Sequence, residues 1–287
     1  MSFLNQITRL VKDPPPGHLF ELSEAGIAYA QGAQTGFQPI ESGALVPSPV
    51  EDNILHADAI LSAIQKAAPA AASKKRKPAA VILPDYAARV SVLDFDSFPS
   101  AADEQASLVR FRVKKTIPFD IDSAAMSYFV QPAPSGSKKV EVLAVTVALE
   151  VIARYEALLR TAGYHPGIVT TSALAALNLH KNEGISVFAK LSGRALTVAV
   201  IEGNVVKLFR CVGIEDASKE EILAILYPTF AYVEDELHQP VGKLILCGIP
   251  PEIADGLNCE VDLLRSRFGA AGPYNAGLLG YLEQVAN

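Results

Sequence analysis

The sequence predicts an α/β fold of two similar lobes, with a small α+β subdomain inserted into the first. Three observations support this prediction. Residues 18–30 and 185–213 each contain β-rich runs joined by short turns, which is typical of antiparallel hairpins. Each hairpin region then continues into helix and strand, which indicates a duplicated unit. Residues 84–164 show a β–α–β–β–α order of their own, which predicts the insert.

Residues 1–17 are predicted to form a segment that is separate from the first lobe. Their apolar residues recur at helical spacing in MSFLNQITRLV, and the prolines at 14–16 end the pattern. The pattern predicts a short amphipathic helix. This helix either packs on its own domain or attaches the chain to a membrane surface or a partner.

Residues 18–83 and 165–184 are predicted to form the first lobe. Residues 31–49 indicate a loop with a short strand, and 69–78 a low-complexity loop. The basic run Lys74–Lys77 in that loop either is solvated or touches acidic lipid or nucleic acid. The predicted strands are His18–Leu22, Ile27–Ala30, Ala79–Leu83 and Ile168–Thr170, and the predicted helices are Glu51–Ala68 and Ser172–His180.

Residues 84–164 and 185–287 are predicted to form the insert and the second lobe. Pro228 is expected to kink or split the helix Lys219–Leu237. The insert elements are strands Ala88–Phe95, Ala124–Gln131 and Val140–Val147 with helices Ser100–Lys115 and Leu149–Thr161. The second-lobe elements are strands Ser186–Ala189, Leu196–Ile201, Val205–Phe209 and Leu244–Gly248, a helical turn Pro251–Leu257 and helices Lys219–Leu237 and Tyr274–Val285.

Composition excludes several classes of function. The net charge of −6 argues against general nucleic-acid binding, which needs a basic face. Cys211, Cys247 and Cys259 lack zinc-ligand spacing and suit small buried positions in a reducing cytosol. No apolar run reaches the roughly 20 residues that a membrane helix needs. The five histidines are scattered, and no hydrolase or metalloprotease motif is present.

Several stretches between residues 81 and 165 resemble the PilM family of actin-like type IV pilus assembly proteins. The similar stretches are the strand Val81–Leu83 followed by Pro84-Asp85, the turn Ile117-Pro118-Phe119-Asp120, Met126–Phe129, and the strand and helix of residues 142–163. Their order and spacing carry the resemblance. The cytoplasmic part of the secretion protein GspL and the division protein FtsA are related to this family.

The resemblance implies an actin-like, ribonuclease H-like fold with a nucleotide cleft between the lobes. Each lobe of that fold supplies an Asp-x-Gly turn, in which glycine admits phosphate and aspartate holds Mg²⁺ through water. Here the first pair of positions is Glu21 and Ser23, and the second pair is Ala189 and Leu191. The second pair offers neither charge nor room.

The resemblance also implies a Gly-Gly pair that holds adenosine. Gly248 is retained, but Ile249 replaces the second glycine. The segment Ser192-Gly193-Arg194 is either a plain hairpin turn or an anion cradle. We therefore expect a degenerate nucleotide site with no cofactor and no catalytic residue. The alternative is an active ATPase of the actin and sugar-kinase superfamily that binds ATP and Mg²⁺.

The function implied by the resemblance is that of a cytoplasmic scaffold, peripheral to the inner membrane, in pilus assembly or type II secretion. Its expected partner is the cytoplasmic tail of a bitopic, PilN-like membrane protein, and self-association stays open. We expect the tail to bind a groove between the first lobe and the insert. The candidate groove residues supply charge or apolar anchors and are Arg89, Arg110, Arg112, Phe119, Tyr128 and Phe129.

Overall fold

The computed structural model describes residues 16–69, 75–132, 139–181 and 184–286. Three predicted features lie outside these ranges: the helix of residues 1–11, the possible membrane contact through residues 1–12, and the start of the basic run at Lys74. The helices are α1 Ala57–Ala67, α2 Ala102–Val113, α3 Leu149–Thr161, α4 Ser172–Ala176, α5 Lys219–Leu237 and α6 Ala276–Val285. The strands are β1 His18–Ser23, β2 Gly26–Gln31, β3 Gln34–Pro39, β4 Lys77–Leu83, β5 Arg89–Phe95, β6 Ala124–Val130, β7 Val140–Ala148, β8 Tyr164–Thr171, β9 Ile185–Ser192, β10 Ala195–Glu202, β11 Val205–Gly213, β12 Lys243–Cys247, β13 Glu260–Leu263, β14 Arg265–Ser266 and β15 Gly269–Ala270.

Two five-stranded sheets have the same topology. The strand orders are β3-β2-β1-β4-β8 and β11-β10-β9-β12-β13. In each sheet, the three strands that come first in the sequence form an antiparallel meander. The other two strands of each sheet run parallel to the first strand of its meander. The duplicated α/β architecture is therefore confirmed, and so is the parallel placement of the strand that ends at Cys247.

The insert forms a third sheet, in the order β5-β7-β6. All its strand pairs are antiparallel. Residues of α2 close one face of this sheet, because Val109 and Val113 are fully buried in a core with alternate strand residues. The other members of that core include Leu93, Phe95, Ile121, Ala124, Val142 and Ala144.

A side-chain amide joins the insert sheet to the outer strand of the second five-stranded sheet. Gln131 is buried, its amide nitrogen donates to the Val206 carbonyl at 2.8 Å, and its amide oxygen accepts from the Val206 N–H at 2.8 Å. One residue further along, Lys207 Nζ donates to both carboxylate oxygens of Glu141 at 2.9 Å and lies 3.4 Å from Glu202. The side-chain amide of Gln131 therefore makes two hydrogen bonds to the backbone of β11, as a residue of an added strand would.

The structure divides the chain into two compact units at boundaries that differ from the predicted ones. One unit holds the first sheet with residues 150–181 and 264–286, and the other holds residues 88–149 and 184–263. The sequence predicts α3 as part of the insert, but the buried Tyr155 hydroxyl donates to Asn53 Oδ1 at 3.0 Å in the first unit. The sequence predicts α6 as part of the second lobe, but this helix packs on α4 so closely that a Cβ at Gly280 would clash with the Ala175 carbonyl oxygen.

Several elements differ in detail from the sequence predictions. The helix at Ser172 changes after Ala176 into a 3₁₀ turn, and β8 begins four residues before Ile168. The α5 helix is continuous through Pro228, so the predicted split is wrong, while the kink stays a prediction. Residues 251–254 form a 3₁₀ turn, and β13, β14 and β15 were not predicted. In the described ranges, no helix combines the length and the apolar character that a membrane crossing demands.

Candidate functional site

The first-lobe site lies where three parallel strands end. β1 pairs with β4, and β4 pairs with β8, so Glu21 near the end of β1, Asp85 after β4 and Ser172 after β8 lie at one edge of the sheet. All three side chains are buried. Asp85 Oδ1 accepts from the Ala173 N–H at 2.6 Å, at the start of α4. Buried carboxylates need such partners, because an unpaired charge away from water is costly.

Glu21, the residue at the predicted aspartate position, binds the start of the last helix. Its side chain is 1% exposed, one carboxylate oxygen accepts from the Ser172 hydroxyl, and the other accepts from the Leu278 N–H at 2.7 Å. Leu278 lies in the first turn of α6, whose N-terminal residue is Ala276. A carboxylate stabilises a helix N-terminus because it accepts from a free N–H and faces the positive end of the helix dipole. Both oxygens therefore have a structural role in this unit.

Ser23, at the predicted glycine position, closes the β1–β2 turn with its own side chain. Its hydroxyl donates to the Gly26 carbonyl at 2.8 Å and accepts from the Gly26 N–H at 3.2 Å. The backbone N–H that an anion would use at this turn is thus bound internally. A turn that holds phosphate leaves such N–H groups pointing at the ligand.

Ala189 and Leu191, the second predicted pair, belong to the core of the second lobe. They are 0% and 8% exposed and share a hydrophobic cluster with α5 residues such as Leu226. Ile249 is buried in the same cluster, directly after the exposed Gly248. Gly248 has φ +69°, in the left-handed region that favours glycine. Of these four positions, three are therefore buried apolar residues, and the fourth has a backbone conformation that favours glycine.

Ser192 and Gly193 lie at a two-residue hairpin turn between β9 and β10. Ser192 pairs with Ala195, and Gly193 has φ +55°, as the first central residue of such turns commonly does. The Arg194 guanidinium donates to the Glu215 carbonyl at 2.6 Å, and its own carbonyl accepts from the Ile214 N–H at 2.8 Å. These bonds tie the turn to the segment after β11.

Lys190 is a buried cation that the sequence analysis missed. It is 1% exposed and lies on β9 between the two apolar site positions, facing the opposite side of the sheet. Its direct neighbours across the sheet are Thr197 on β10 and Cys247 on β12. The signal in the sequence was a single lysine inside an otherwise apolar run, SVFAKLS. Because lysine is almost never fully buried unless it is paired, the run alone does not predict that this ammonium group is buried.

The predicted groove residues all lie in the insert, but on two different faces of its sheet. Tyr128 packs in the core beneath α2, and its hydroxyl donates to Gln105 Oε1 at 3.1 Å. Phe129 follows it on the opposite face, as strand alternation requires. Phe129 pairs with Leu143 of β7, and Leu143 pairs with Val92 of β5, so the three residues lie side by side across the sheet.

The three arginines and Phe119 have structural contacts on the α2 side. Phe119 packs against the insert core. Arg110 Nη1 donates to the Ile121 carbonyl at 2.6 Å, and the Arg112 guanidinium carbon lies 5.2 Å from the centre of the Phe95 ring. Arg89 Nη1 donates to the Ala88 carbonyl at 2.9 Å. The six groove residues therefore do not form one surface, and Phe129 stands apart from the others.

The geometry fits an ATP and Mg²⁺ site poorly. The first lobe offers carboxylates that already hold helices α4 and α6. The second lobe offers no carboxylate, either at Ala189 or at Lys190, which matches Glu21 in the register of the hairpins. Within the described ranges, no group of three or more histidine, cysteine or acidic side chains could hold a metal ion.

Comparison with known proteins identifies the fold. No protein-family model and no curated protein sequence matches the chain. Among solved structures it is similar to the PilM–PilN type IV pilus biogenesis complex, with a TM-score of 0.71, 14% identity, and coverage of 96% of this chain and 100% of that chain. A Bacteroides thetaiotaomicron protein with an actin-like ATPase fold has a TM-score of 0.53 and 11% identity, covering 92% of this chain and 94% of that chain.

A third similar structure is the cytoplasmic domain of EpsL, an inner-membrane component of the type II secretion system of Vibrio cholerae. Its TM-score is 0.52 and its identity 14%, covering 94% of this chain and 93% of that chain. The similarity to the PilM–PilN complex confirms, for the three-dimensional fold, the resemblance to PilM that residues 81–165 of the sequence predict. The chain has the actin-like fold, with two duplicated α/β lobes and an inserted α+β subdomain.

Proposed function

We propose that this protein is a non-catalytic actin-like scaffold of a type IV pilus assembly or type II secretion machine. It works by binding partners and uses neither ATP nor Mg²⁺. One observation carries the proposal. The positions where this fold needs an Asp-x-Gly turn in each lobe hold side chains that are committed to the protein's own structure. Glu21 binds α6. By the register of the two hairpins, its counterpart in the second lobe is the buried Lys190, which is flanked by the core residues Ala189 and Leu191.

The partner that we propose is a PilN-like cytoplasmic tail of a bitopic inner-membrane protein. The support is the likeness to the PilM–PilN complex and to EpsL, an inner-membrane component of a secretion system. A scaffold with such a partner would be cytoplasmic and peripheral to the inner membrane. An extended tail needs no folded structure of its own to add to a sheet edge.

We place the tail on β6, at the edge of the insert sheet. β6 pairs with β7 on one side, and none of the described strands pairs with its other edge. An unpaired strand edge offers backbone N–H and C=O groups to an added peptide strand. Phe129 and Val130 are at the end of this strand, and Val130 is 37% exposed. They supply apolar contacts for alternate side chains of the tail.

The experiment is a binding titration with a fluorescent peptide. The peptide is the cytoplasmic tail of the single-pass membrane protein encoded beside this chain, and fluorescence anisotropy reports its binding. We expect saturable binding, weakened about 10- to 30-fold by Phe129→Ala, because a truncated aromatic anchor typically costs that much. Phe37→Ala is the matched control, since Phe37 is a 46% exposed phenylalanine on β3, the edge strand of another sheet.

The titration has three possible results, and each leads to a different conclusion. Loss of affinity in Phe129→Ala with wild-type affinity in Phe37→Ala supports the β6 edge. Equal affinities of both variants and the wild type would remove this edge as the site. No binding of the tail by the wild-type protein would contradict the proposed partner.

A further inference from the structure

The last turn of α2 and the two residues after it carry a group of exposed side chains that the proposed function does not use. Phe111 is 61% exposed, the highest value among the large exposed apolar side chains of the described residues. Arg112, Lys114 and Lys115 beside it are also exposed. We call these four residues the cationic–aromatic patch.

Helix geometry brings the four side chains onto one side. At 100° per residue, they fall within an arc of about 160°, opposite the buried Val109 and Val113. Lys114 is the helical C-cap, and Lys115 Nζ lies 5.5 Å from the centre of the Phe111 ring. The patch is therefore the solvent side of a turn whose other side is anchored in the insert core.

Stabilisation of the helix explains only part of this arrangement. Cations near a helix C-terminus interact favourably with its dipole, which accounts for a basic last turn. It does not account for an exposed phenylalanine at the centre of that turn. In the described part of the chain, neither Lys114 nor Lys115 forms an ion pair. The acidic residues of this helix, Asp103 and Glu104, lie at its other end.

We propose that the cationic–aromatic patch docks the insert on the surface of an anionic lipid bilayer. Phe111 enters the boundary between headgroups and acyl chains, and the three cations bind lipid phosphates. Exposed aromatic side chains flanked by Lys and Arg are the composition that binds bilayer interfaces. The overall charge of −6 does not prevent this, because charges further than about 10 Å from the membrane are largely screened at physiological salt.

A bilayer fits the patch better than a polyanion or an acidic protein does. Flexible lysines with no fixed partner suit mobile headgroups, which accept any orientation, whereas recognition of one defined anion favours fixed donors. A single exposed aromatic can enter a fluid interface without a complementary pocket. A nucleic acid would need a longer basic track than one helical turn, and α2 is acidic at its other end.

The absence of tryptophan makes the test specific to this site. The chain has no tryptophan, so Phe111→Trp introduces a single fluorophore into the patch. The purified full chain is mixed with vesicles of phosphatidylglycerol and phosphatidylethanolamine, or of phosphatidylcholine alone. We expect a blue-shifted emission and protection from a soluble quencher with the anionic vesicles only. Attachment through another part of the chain would leave the introduced indole in water.

Replacing the two lysines measures the electrostatic part. Lys114→Gln with Lys115→Gln, in the Phe111→Trp background, should weaken vesicle binding about 25-fold, because each cation near an anionic surface contributes about fivefold. Tyr227→Trp is the control for the fluorophore, since Tyr227 is a 54% exposed aromatic on α5 and should show no shift. Far-UV circular dichroism checks that each variant is folded.

Three results would overturn the proposal. These are no blue shift with anionic vesicles, an equal shift with phosphatidylcholine, or an unchanged affinity after loss of both lysines. A shift with RNA or heparin but not with vesicles would instead assign the patch to a polyanion. The test is independent of the proposed partner tail, because it uses the protein alone. Phe129→Ala should leave vesicle binding unchanged, and Phe111→Ala should leave tail binding unchanged.

Discussion

Removal of the Glu21 carboxylate should lower the stability of the protein in the absence of any nucleotide, because that group holds α6 in place. Glu21→Gln keeps the shape of the side chain and isolates the charge. Its amide oxygen can still accept from the Leu278 N–H, and its NH₂ group can donate to Ser172. The loss is then that of a buried anion at a helix N-terminus, up to about 2 kcal/mol of unfolding free energy.

Glu21→Ala should cost more than Glu21→Gln. It leaves the Leu278 N–H and the Ser172 hydroxyl buried without this acceptor, and each unsatisfied group costs about 1–3 kcal/mol. We therefore expect a loss of about 3–5 kcal/mol. The control is Glu220→Gln, because Glu220 is an exposed carboxylate in the first turn of α5 and should change stability by no more than about 0.5 kcal/mol.

The assay is urea unfolding followed by circular dichroism, with amide hydrogen exchange of residues 276–285 as the local readout. All samples lack nucleotide, so a ligand cannot contribute to stability. Faster exchange in α6 together with the graded loss, alanine greater than glutamine, supports the structural role. Unchanged midpoints and unchanged exchange in both variants would refute it and leave Glu21 available for another role.

Two further predictions concern the joint of the insert and the ionisation of a histidine. Gln131→Leu should lower the unfolding free energy by about 2–4 kcal/mol, since the N–H and the carbonyl of Val206 both lose their partner. Amide hydrogen exchange at Val206 should become faster, and an unchanged exchange rate there would contradict this prediction. Burial, then the charge of Lys77, lowers the pKa of His18 below its ordinary value of 6.5. The unfolded chain thus binds more protons, so stability should fall as pH falls from about 6.5 toward the lowered folded pKa. His18→Phe should reduce that dependence; an unchanged pH dependence of stability in this variant would contradict the assignment.

The sequence predicted the elements whose signals are local. β9 and β10 contain long β-branched and apolar runs that are buried, so their pattern was strong. β13 was missed because Glu260–Leu263 is four residues long and mostly exposed, which gives no clear burial pattern. β8 was shortened because Pro166 and Gly167 normally weaken a strand prediction.

Long-range contacts were beyond the reach of the sequence. The placement of α6 depends on a bond between Glu21 and Leu278, which are 257 residues apart. No local pattern links those two positions. The substitutions at Ala189 and Leu191 were readable in the sequence once their positions were assigned by resemblance. The burial of Lys190 between them depends on which strands flank β9, and only the sheet order supplies that information.

The central claim is that the protein does not use ATP, and steady-state phosphate release tests it most directly. Purified full-length protein is incubated with millimolar Mg²⁺ and ATP, beside a Gly248→Arg variant that would obstruct the adenosine turn. We expect equal release by the two proteins, at the level of the buffer blank, because Ala189 and Lys190 supply no fixed carboxylate to orient Mg²⁺ and water in the second lobe. Release by the wild-type protein that Gly248→Arg abolishes would contradict it.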